Sequence, residues 1–526
     1  MPKPCAAHWP PAPNLRAMTT EAAPPTPAPP MRIDGEEHRL HPWSWLFVTL
    51  QHMKQFILPL LVLLFAGRGD RNELWPLIGV GVLALVSVWQ YFTYRYRLLP
   101  DRIEIRSGLL ERKLRQIAYA RIHNVALHQA LLHRVFDVAE VRLESAGGTK
   151  PEAEMRVLRY EKAIALEKLV REHGGEAASA PPGDAPATEA ASTLLLSLPT
   201  GEVIRHGLIS NRGLVLVAGG FAAMSQVSPR LFANVGERWV KAGAGYAESH
   251  HFSYLDYGLG VLSLLVLFVV VLRVLSVLTS LLQYHGFALS ETGRRLTVVR
   301  GLLTRIRTSA PKRRIQAWML RETVLHRQFK RRALSIDTAA SRGGGQQQQR
   351  SLRELAPIAT PEACDALIHH LLPDAQWPPA DWRPLHRLTW LRIWLGDVLW
   401  VLPVTAVLAW RFGAWGALLL LWLPWSALLA WKAATKAGWS LDGRLVAVRR
   451  GWWSRQWRFA EVGKLQALQL SRSPLDRLFG MRRLLLDTAG AGALSPSMAI
   501  AYLIPEDAER LQQALSKQLA RSALRW

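Results

Sequence analysis

Apolar runs long enough to cross a bilayer alternate along this chain with segments in which apolar and polar residues change places at every second position. The runs fall at about 43–66, 74–92, 257–282, 389–410 and 413–431, each close to the roughly 20 residues that a helical span requires. A sixth, weaker stretch near 213–233 is interrupted by Ser225, Pro229 and Arg230. After each pair of runs the period changes to two. YRYRLLPDRIEIRSGLL starts at Tyr94, HGFALSETGRRLTVVRGLL at His285 and AGWSLDGRLVAVRRGWW at Ala437. Each reads as a strand, a turn (Pro100-Asp101, Glu291-Thr292-Gly293 or Asp442-Gly443), a second strand, and a glycine before two bulky apolar residues. That pattern predicts a hairpin and the start of a further strand.

The likeness continues downstream. Fifteen or sixteen residues past Gly108, Gly301 and Gly451 stand Asn124, Gln316 and Gln466. Twelve or thirteen further on come Phe136, Phe329 and Phe479, and nine beyond those Ser145, Thr338 and Thr488, each followed by Ala. Amphipathic stretches at 160–173, 361–372 and 505–519 predict one closing helix per copy. The repeat unit is thus a small antiparallel β module capped by a C-terminal helix, present three times. Gly108, Gly301 and Gly451 end a strand where a positive φ is expected, so they are structural turn positions.

The predicted fold class is an α+β integral membrane protein with six transmembrane helices arranged as three hairpins. Its order is a disordered Pro/Ala-rich tail at 1–40, hairpin 1 at 43–92, module 1 at 93–173, a flexible linker at 174–191, a lead-in and hairpin 2 at 203–282, module 2 at 283–373, a lead-in and hairpin 3 at 385–431, and module 3 at 432–526. The lead-ins, HRLHPWSWL from His38, VIRHGLISNRG from Val203 and LHRLTWLRI from Leu385, read as interfacial stretches that orient the first helix of each hairpin. SRGGGQQQQRS from Ser341 reads as an expanded, solvated loop.

Charge decides the count of spans. The net charge of +25 lies almost wholly in the three modules, and the segments between paired spans are near neutral. Cytoplasmic segments carry the excess Lys and Arg, so all three modules belong on the cytoplasmic side, which requires the weak stretch to cross. Many of the 22 tryptophans stand at the ends of apolar runs, where interfacial aromatics belong. Cys5 and Cys364 are the only cysteines, which excludes a disulfide framework and a cysteine-based metal site. The expected location is a bacterial-type inner membrane, multi-pass, with both termini cytoplasmic.

Catalytic chemistry has no foothold. The chain lacks a glycine-rich phosphate loop, HExxH, G-x-S-x-G and Cys-x-x-Cys. His123, His128 and His133 recur at a spacing that suits neither a helix face nor a strand face, and His369-His370 has no partner at ligand spacing. No catalytic residue, metal ligand or cofactor is expected. Lys312, Arg313, Arg314, Lys330, Arg331 and Arg332 form a candidate surface for anionic lipid headgroups; with no aromatic-plus-basic platform, nucleic acid is not expected. Inside the membrane, Arg273 and Asp397 lie at similar depth, roughly 12–14 Å from the same side, and form a candidate ion pair between hairpins 2 and 3.

The repeat resembles the YdbS/YdbT-like bacterial membrane proteins with pleckstrin-homology (PH)-like domains. The residues that carry the resemblance are Gly108-Leu109-Leu110, Ile122-His123-Asn124 and Ser145-Ala146-Gly147 in the first copy, Gly301-Leu302-Leu303, Ile315-Gln316 and Thr338-Ala339 in the second, and Gly451-Trp452-Trp453, Leu465-Gln466 and Thr488-Ala489-Gly490 in the third. It implies a bent antiparallel barrel capped by one helix and no catalytic residues. A PH-like barrel does not itself imply a phosphoinositide ligand. The expected role is a non-enzymatic platform that binds protein partners, itself included, at the lipid bilayer. Two alternatives are a component of a transport or export system and an anionic-lipid-binding membrane protein.

Overall fold

Strand pairing turns the three period-two segments into three copies of one module. The computed structural model describes residues 36–39, 92–108, 112–145, 153–173, 192–227, 253–338, 352–488 and 498–521, with isolated positions between 41 and 89 and between 236 and 245. The expected tail, most of hairpin 1, the linker at 174–191 and the Gln-rich loop lie outside the described residues.

Module 1 contains β1 (Glu37–Arg39), β2 (Arg95–Leu98), β3 (Arg102–Ser107), β4 (Lys113–Ala118), β5 (Ile122–Gln129), α1 (Leu131–Val135), β6 (Val138–Ser145), β7 (Ala153–Arg159) and α2 (Tyr160–His173). Module 2 follows with β8 (Thr193–Ser197), three helices α3 (Thr200–Ile209), α4 (Arg212–Val227) and α5 (Tyr254–Tyr284), then β9 (Ala288–Thr292), β10 (Arg295–Arg300), β11 (Arg305–Pro311), β12 (Ile315–Glu322), α6 (Val324–Gln328), β13 (Arg332–Thr338), β14 (Glu354–Ala359) and α7 (Pro361–Leu371). Module 3 is preceded by α8 (Thr389–Phe412), a 3-10 segment at Gly413–Leu421 and α9 (Trp422–Lys436). It comprises β15 (Gly438–Asp442), β16 (Leu445–Arg450), β17 (Arg455–Glu461), β18 (Leu465–Ser471), α10 (Pro474–Leu478), β19 (Arg482–Thr488), β20 (Met498–Leu503) and α11 (Pro505–Arg521).

Alternation places one face of each strand inside. In module 1, Ile103, Ile105 and Ile117 from the first sheet meet Val125, Leu127, Val141, Leu143 and Met155 from the second, and Ala163, Leu166 and Leu169 of α2 close the core. The equivalent helix α11 buries Ala508, Leu511 and Leu515, spaced to share one face. Thr360 caps α7 by accepting from the Ala363 amide, with Pro361 at the first helical position. The strand register also corrects the alignment of the copies. A bulge at Ile122/Asn124, Ile315/Ala317 and Leu465/Ala467 puts His123, not Asn124, opposite Gln316 and Gln466 in the repeat.

Of the six expected spans, those of hairpin 1 lie mostly outside the described residues. Among the described residues two helical stretches are long and apolar enough to cross, Leu255–Tyr284 and Thr389–Lys436. The second doubles back on itself: Gly413 takes φ +64° after α8, and Trp394 Nε1 donates to the Leu423 carbonyl at 3.0 Å, which sets the two arms side by side. The expected span near 213–233 is α4, sixteen residues long and apolar over Arg212–Ala222. Residues 228–233 of that stretch lie outside the described residues. The described part lies against α5, where a Cβ on Gly213 would sit 2.1 Å from the Leu272 carbonyl oxygen. Small residues at such a crossing let backbones approach.

The lead-ins are more than interfacial stretches. Strand β1 pairs with β2, β8 with β9, and Arg383 bridges to Trp439. Each hairpin is therefore an insertion between the first two extended segments of its own module's sheet. The lead-ins also dock on the short helix of the module. Phe47 packs on His133 and Phe136, Glu202 pairs with Arg331 at 2.8 Å beyond α6, and Arg392 pairs with Asp476 of α10 at 3.0 Å.

Gly108, Gly301 and Gly451 adopt φ of +126°, +111° and +80°. A Cβ on Gly451 would lie 2.1 Å from the Ser454 carbonyl oxygen, and one on Gly301 2.0 Å from that of Thr304. Gly451→Val therefore costs roughly 1–3 kcal/mol in backbone strain plus the displacement of the turn. Thermal unfolding of the purified variant checks this, and a midpoint equal to that of the parent contradicts it.

Candidate interaction surface

The feature that distinguishes these modules is what happens at the edges of their sheets. β5 pairs beyond its own module: Ala126, Leu127, His128 and Gln129 face Thr308, Arg307, Ile306 and Arg305 of β11. In the same way β12 pairs with β17, from Trp318↔Phe459 to Glu322↔Arg455. The sheets consequently run through the module boundaries, in the orders β7-β6-β5-β11-β10-β9-β8 and β14-β13-β12-β17-β16-β15. Both junctions share one register. Arg305 and Arg455, each four residues after the repeat glycine, face Gln129 and Glu322, each twenty-one after theirs.

Side chains lock the two junctions differently. Between modules 2 and 3 the Trp318 and Phe459 rings lie parallel with centroids 6.1 Å apart, and Trp377 packs on Phe459 at 4.2 Å. Phe459, Leu445 and Ala447 of module 3 join the apolar core of module 2. Arg458 and Asp337 pair at 2.7 Å with both side chains largely buried; losing one partner strands the other charge, a loss of about 3–5 kcal/mol. Between modules 1 and 2 the contact is more polar. Arg307 meets Glu167 at 3.3 Å beside a recess lined also by Arg295, Arg313 and Arg314. An arginine of the short helix reinforces each junction: Arg134 donates to the Leu302 carbonyl at 3.2 Å and Arg327 to that of Trp453 at 3.4 Å.

Among the described residues two corresponding edges remain. β4 ends the first sheet of module 1 and β18 ends the last sheet of module 3. Where β5 and β12 are buried, β18 exposes Gln466, Ala467 and Gln469, and β4 exposes Lys113, Leu114, Arg115 and Gln116.

The candidate residues read from sequence are placed as follows. Arg273 and Asp397 are not brought together. Arg273 Nη1 donates to the carbonyls of Leu208 and Ser210 at 2.9 and 3.3 Å, at the C-terminal end of α3, where a cation complements the helix dipole. Asp397 is exposed on α8, and Arg392, the nearest cation in sequence, turns to Asp476 instead. The six-residue basic surface is largely committed within the protein. Lys312 pairs with Glu291, Arg331 with Glu202, and Arg332 with Asp365 at 3.4 Å while lying over the Trp457 ring. Arg313 accepts Lys464 Nζ at its carbonyl across the second junction, at 2.5 Å, and Arg314 lines the recess. Lys330 has φ +50°, as Asp137 and Gly480 are left-handed at the same repeat position. Among the described residues no group of three His, Cys, Asp or Glu could hold a metal ion. His369 and His370 lie in the last turn of α7, where His370 meets Glu291 at 2.7 Å.

Sequence reasoning missed a half-buried polar cluster at the root of hairpin 2. Glu354 of β14 binds Arg300 at 2.9 Å and Arg212 at 3.4 Å, and the Tyr284 hydroxyl donates to it. Burial raises the Glu354 pKa, but Arg300 and Arg212 outweigh it and hold the carboxyl below its ordinary range. Three long-range partners on three elements leave no local spacing by which this group could be found.

Residues 47–173, 245–371 and 391–519 each match the bacterial PH domain, and the chain belongs to that family. More narrowly, it is one of the YdbS/YdbT-like membrane proteins. The UPF0699 transmembrane protein YdbT of Bacillus subtilis (strain 168) is 23% identical to it over 454 residues, which is 84% of this chain and 90% of that protein. No solved structure matches.

His128 of the first junction is buried, and burial lowers its pKa to about 4, with Glu140 opposing and Arg142 assisting. Above pH 6.5 the imidazole is neutral in folded and unfolded chains alike and does not affect stability. Between pH 6.5 and 4 the unfolded chain takes the proton and the folded one does not, so stability falls with pH, by about 3 kcal/mol at most. His206 and His326 act in the same direction. The unfolding midpoint should therefore drop between pH 7 and 5, and less steeply in His128→Gln; an unchanged slope in that variant contradicts the assignment.

Proposed function

We propose that this protein is a non-enzymatic platform of a bacterial-type inner membrane that holds one row of three PH-like modules against the cytoplasmic face for binding protein partners. The observation that carries this reading is the pair of backbone ladders that join neighbouring modules. A hydrogen-bonded ladder cannot be divided by a bilayer, because backbone groups in hydrocarbon must be satisfied within the protein. Modules joined by β5–β11 and β12–β17 thus share one side. The clamped lead-ins agree: an insertion whose two ends meet in one sheet crosses an even number of times. The side is the cytoplasm, because the modules carry the excess Lys and Arg. Tethering three modules on one chain raises effective concentration for a multivalent partner without new contacts.

The test is accessibility in whole cells, with Cys5 and Cys364 replaced. A single cysteine at Gly413 should react with an impermeant thiol reagent from outside. Cysteines at Arg121, Gly293 and Gln513 should react only after permeabilisation, and outside labelling at any of these three overturns the arrangement. In the same cells, photoreactive residues on the module edges should trap protein. Adducts confined to hairpin positions such as Trp400 and Trp415 favour a transport component instead.

A further inference from the structure

The two internal junctions define a rule that the ends of the chain leave unfulfilled. In each junction the strand before the short helix of one module accepts the strand after the repeat glycine of the next, in a single register. Module 3 offers the first kind of strand in β18 and module 1 the second kind in β4, and among the described residues both end their sheets. We propose that copies of this chain assemble head to tail, β18 of one copy pairing antiparallel with β4 of the next in the register of the internal junctions.

Transferring that register sets Arg115 opposite Gln469, Leu114 opposite Leu470 and Lys113 opposite Ser471. The middle pair stands where Arg307 faces Leu127 and Trp457 faces Leu320. Leu114 is 54% exposed in a single copy, and Leu127 and Leu320, the counterparts of Leu470, are each 1% exposed once paired. Pairing therefore brings an exposed leucine against another apolar side chain, as Trp457 meets Leu320 at the second junction. The arginine of the short helix is repeated as well. Arg477 stands at the position of Arg134 and Arg327 and is exposed. The ladder closes with Arg112 opposite Arg472, one like-charge pair at its end between residues that are exposed in the single copy.

A second copy fits these edges better than an unrelated protein, because one chain carries both complementary halves and its hairpins hold them at the same height on the membrane. A symmetric β4–β4 contact centred on Leu114 is disfavoured, since it would set Lys113 of each copy against Arg115 of the other, two like-charge pairs where the head-to-tail ladder has one, and like charges across strands destabilise. The contact is heterologous, so it generates a ring where the rotation closes and a filament in the membrane plane where it does not. Open edges of this kind recruit strands by main-chain pairing. This inference rests on the assembly reading above and names its partner.

The experiment uses full-length protein, alone, in lipid vesicles. Cys5 and Cys364 are replaced, and two differently tagged populations carry Arg115→Cys and Gln469→Cys. Oxidation should join unlike tags, whereas two Arg115→Cys populations should not join. A parallel count of copies per particle by stepwise photobleaching should give more than one for the parent chain. Leu114→Asp, at a side chain exposed in the single copy, should leave thermal unfolding unchanged and weaken association at least tenfold. A parent chain that counts as one copy overturns the proposal, as does disulfide formation at equal yield between two β4 edges. If purified chains stay single while edge photocrosslinks in cells trap a different protein, self-assembly fails and the platform reading stands.

Discussion

Backbone pairing between modules is the interaction on which the remaining structure depends. Because β5 continues into β11 and β12 into β17, three units that could have been beads on a string become one row. The hairpins are inserted between paired strands, so the same ladders fix where each membrane segment begins and ends. Removing a junction would therefore do more than loosen a contact. It would expose two strand edges and, between modules 2 and 3, open an apolar core that Phe459 shares with Trp318.

The charged residues that first suggest a binding surface are largely engaged in holding elements together: Arg331 with Glu202, Arg332 with Asp365, Lys312 with Glu291. Arg273 anchors the end of α3 and does not bridge hairpins. Among the described residues, the row ends in a strand edge on either side, β4 and β18.

Much of the fold was legible because its signals are local. The turns at Gly293 and Gly443, the glycines before the bulky pairs and the closing helices at 160–173, 361–371 and 505–521 all leave marks within a few residues. The close approach of α3 and α4 to α5 left no local mark, because Gly207 and Gly213 meet Val277 and Leu272, residues far along the chain, only in the folded structure. The Arg273–Asp397 pair failed because equal depth does not set azimuth: Arg273 faces α3, and Asp397 is exposed. The junctions were illegible for a deeper reason. Main-chain pairing uses groups that every residue carries, so β12, which pairs outside its module, and β18, whose outer edge is open, share a pattern in sequence.

The central claim, that neighbouring modules are joined through their backbones, is tested most directly by amide hydrogen exchange on dilute, single copies in detergent. Repeat-equivalent strands supply the internal standard. The account predicts that amides of Arg305–Thr308 in β11 and Arg455–Phe459 in β17 exchange as slowly as those of the central strands β10 and β16, and far more slowly than Arg112–Arg115 beside the open edge of module 1. Equal, fast exchange at all three sites would contradict it.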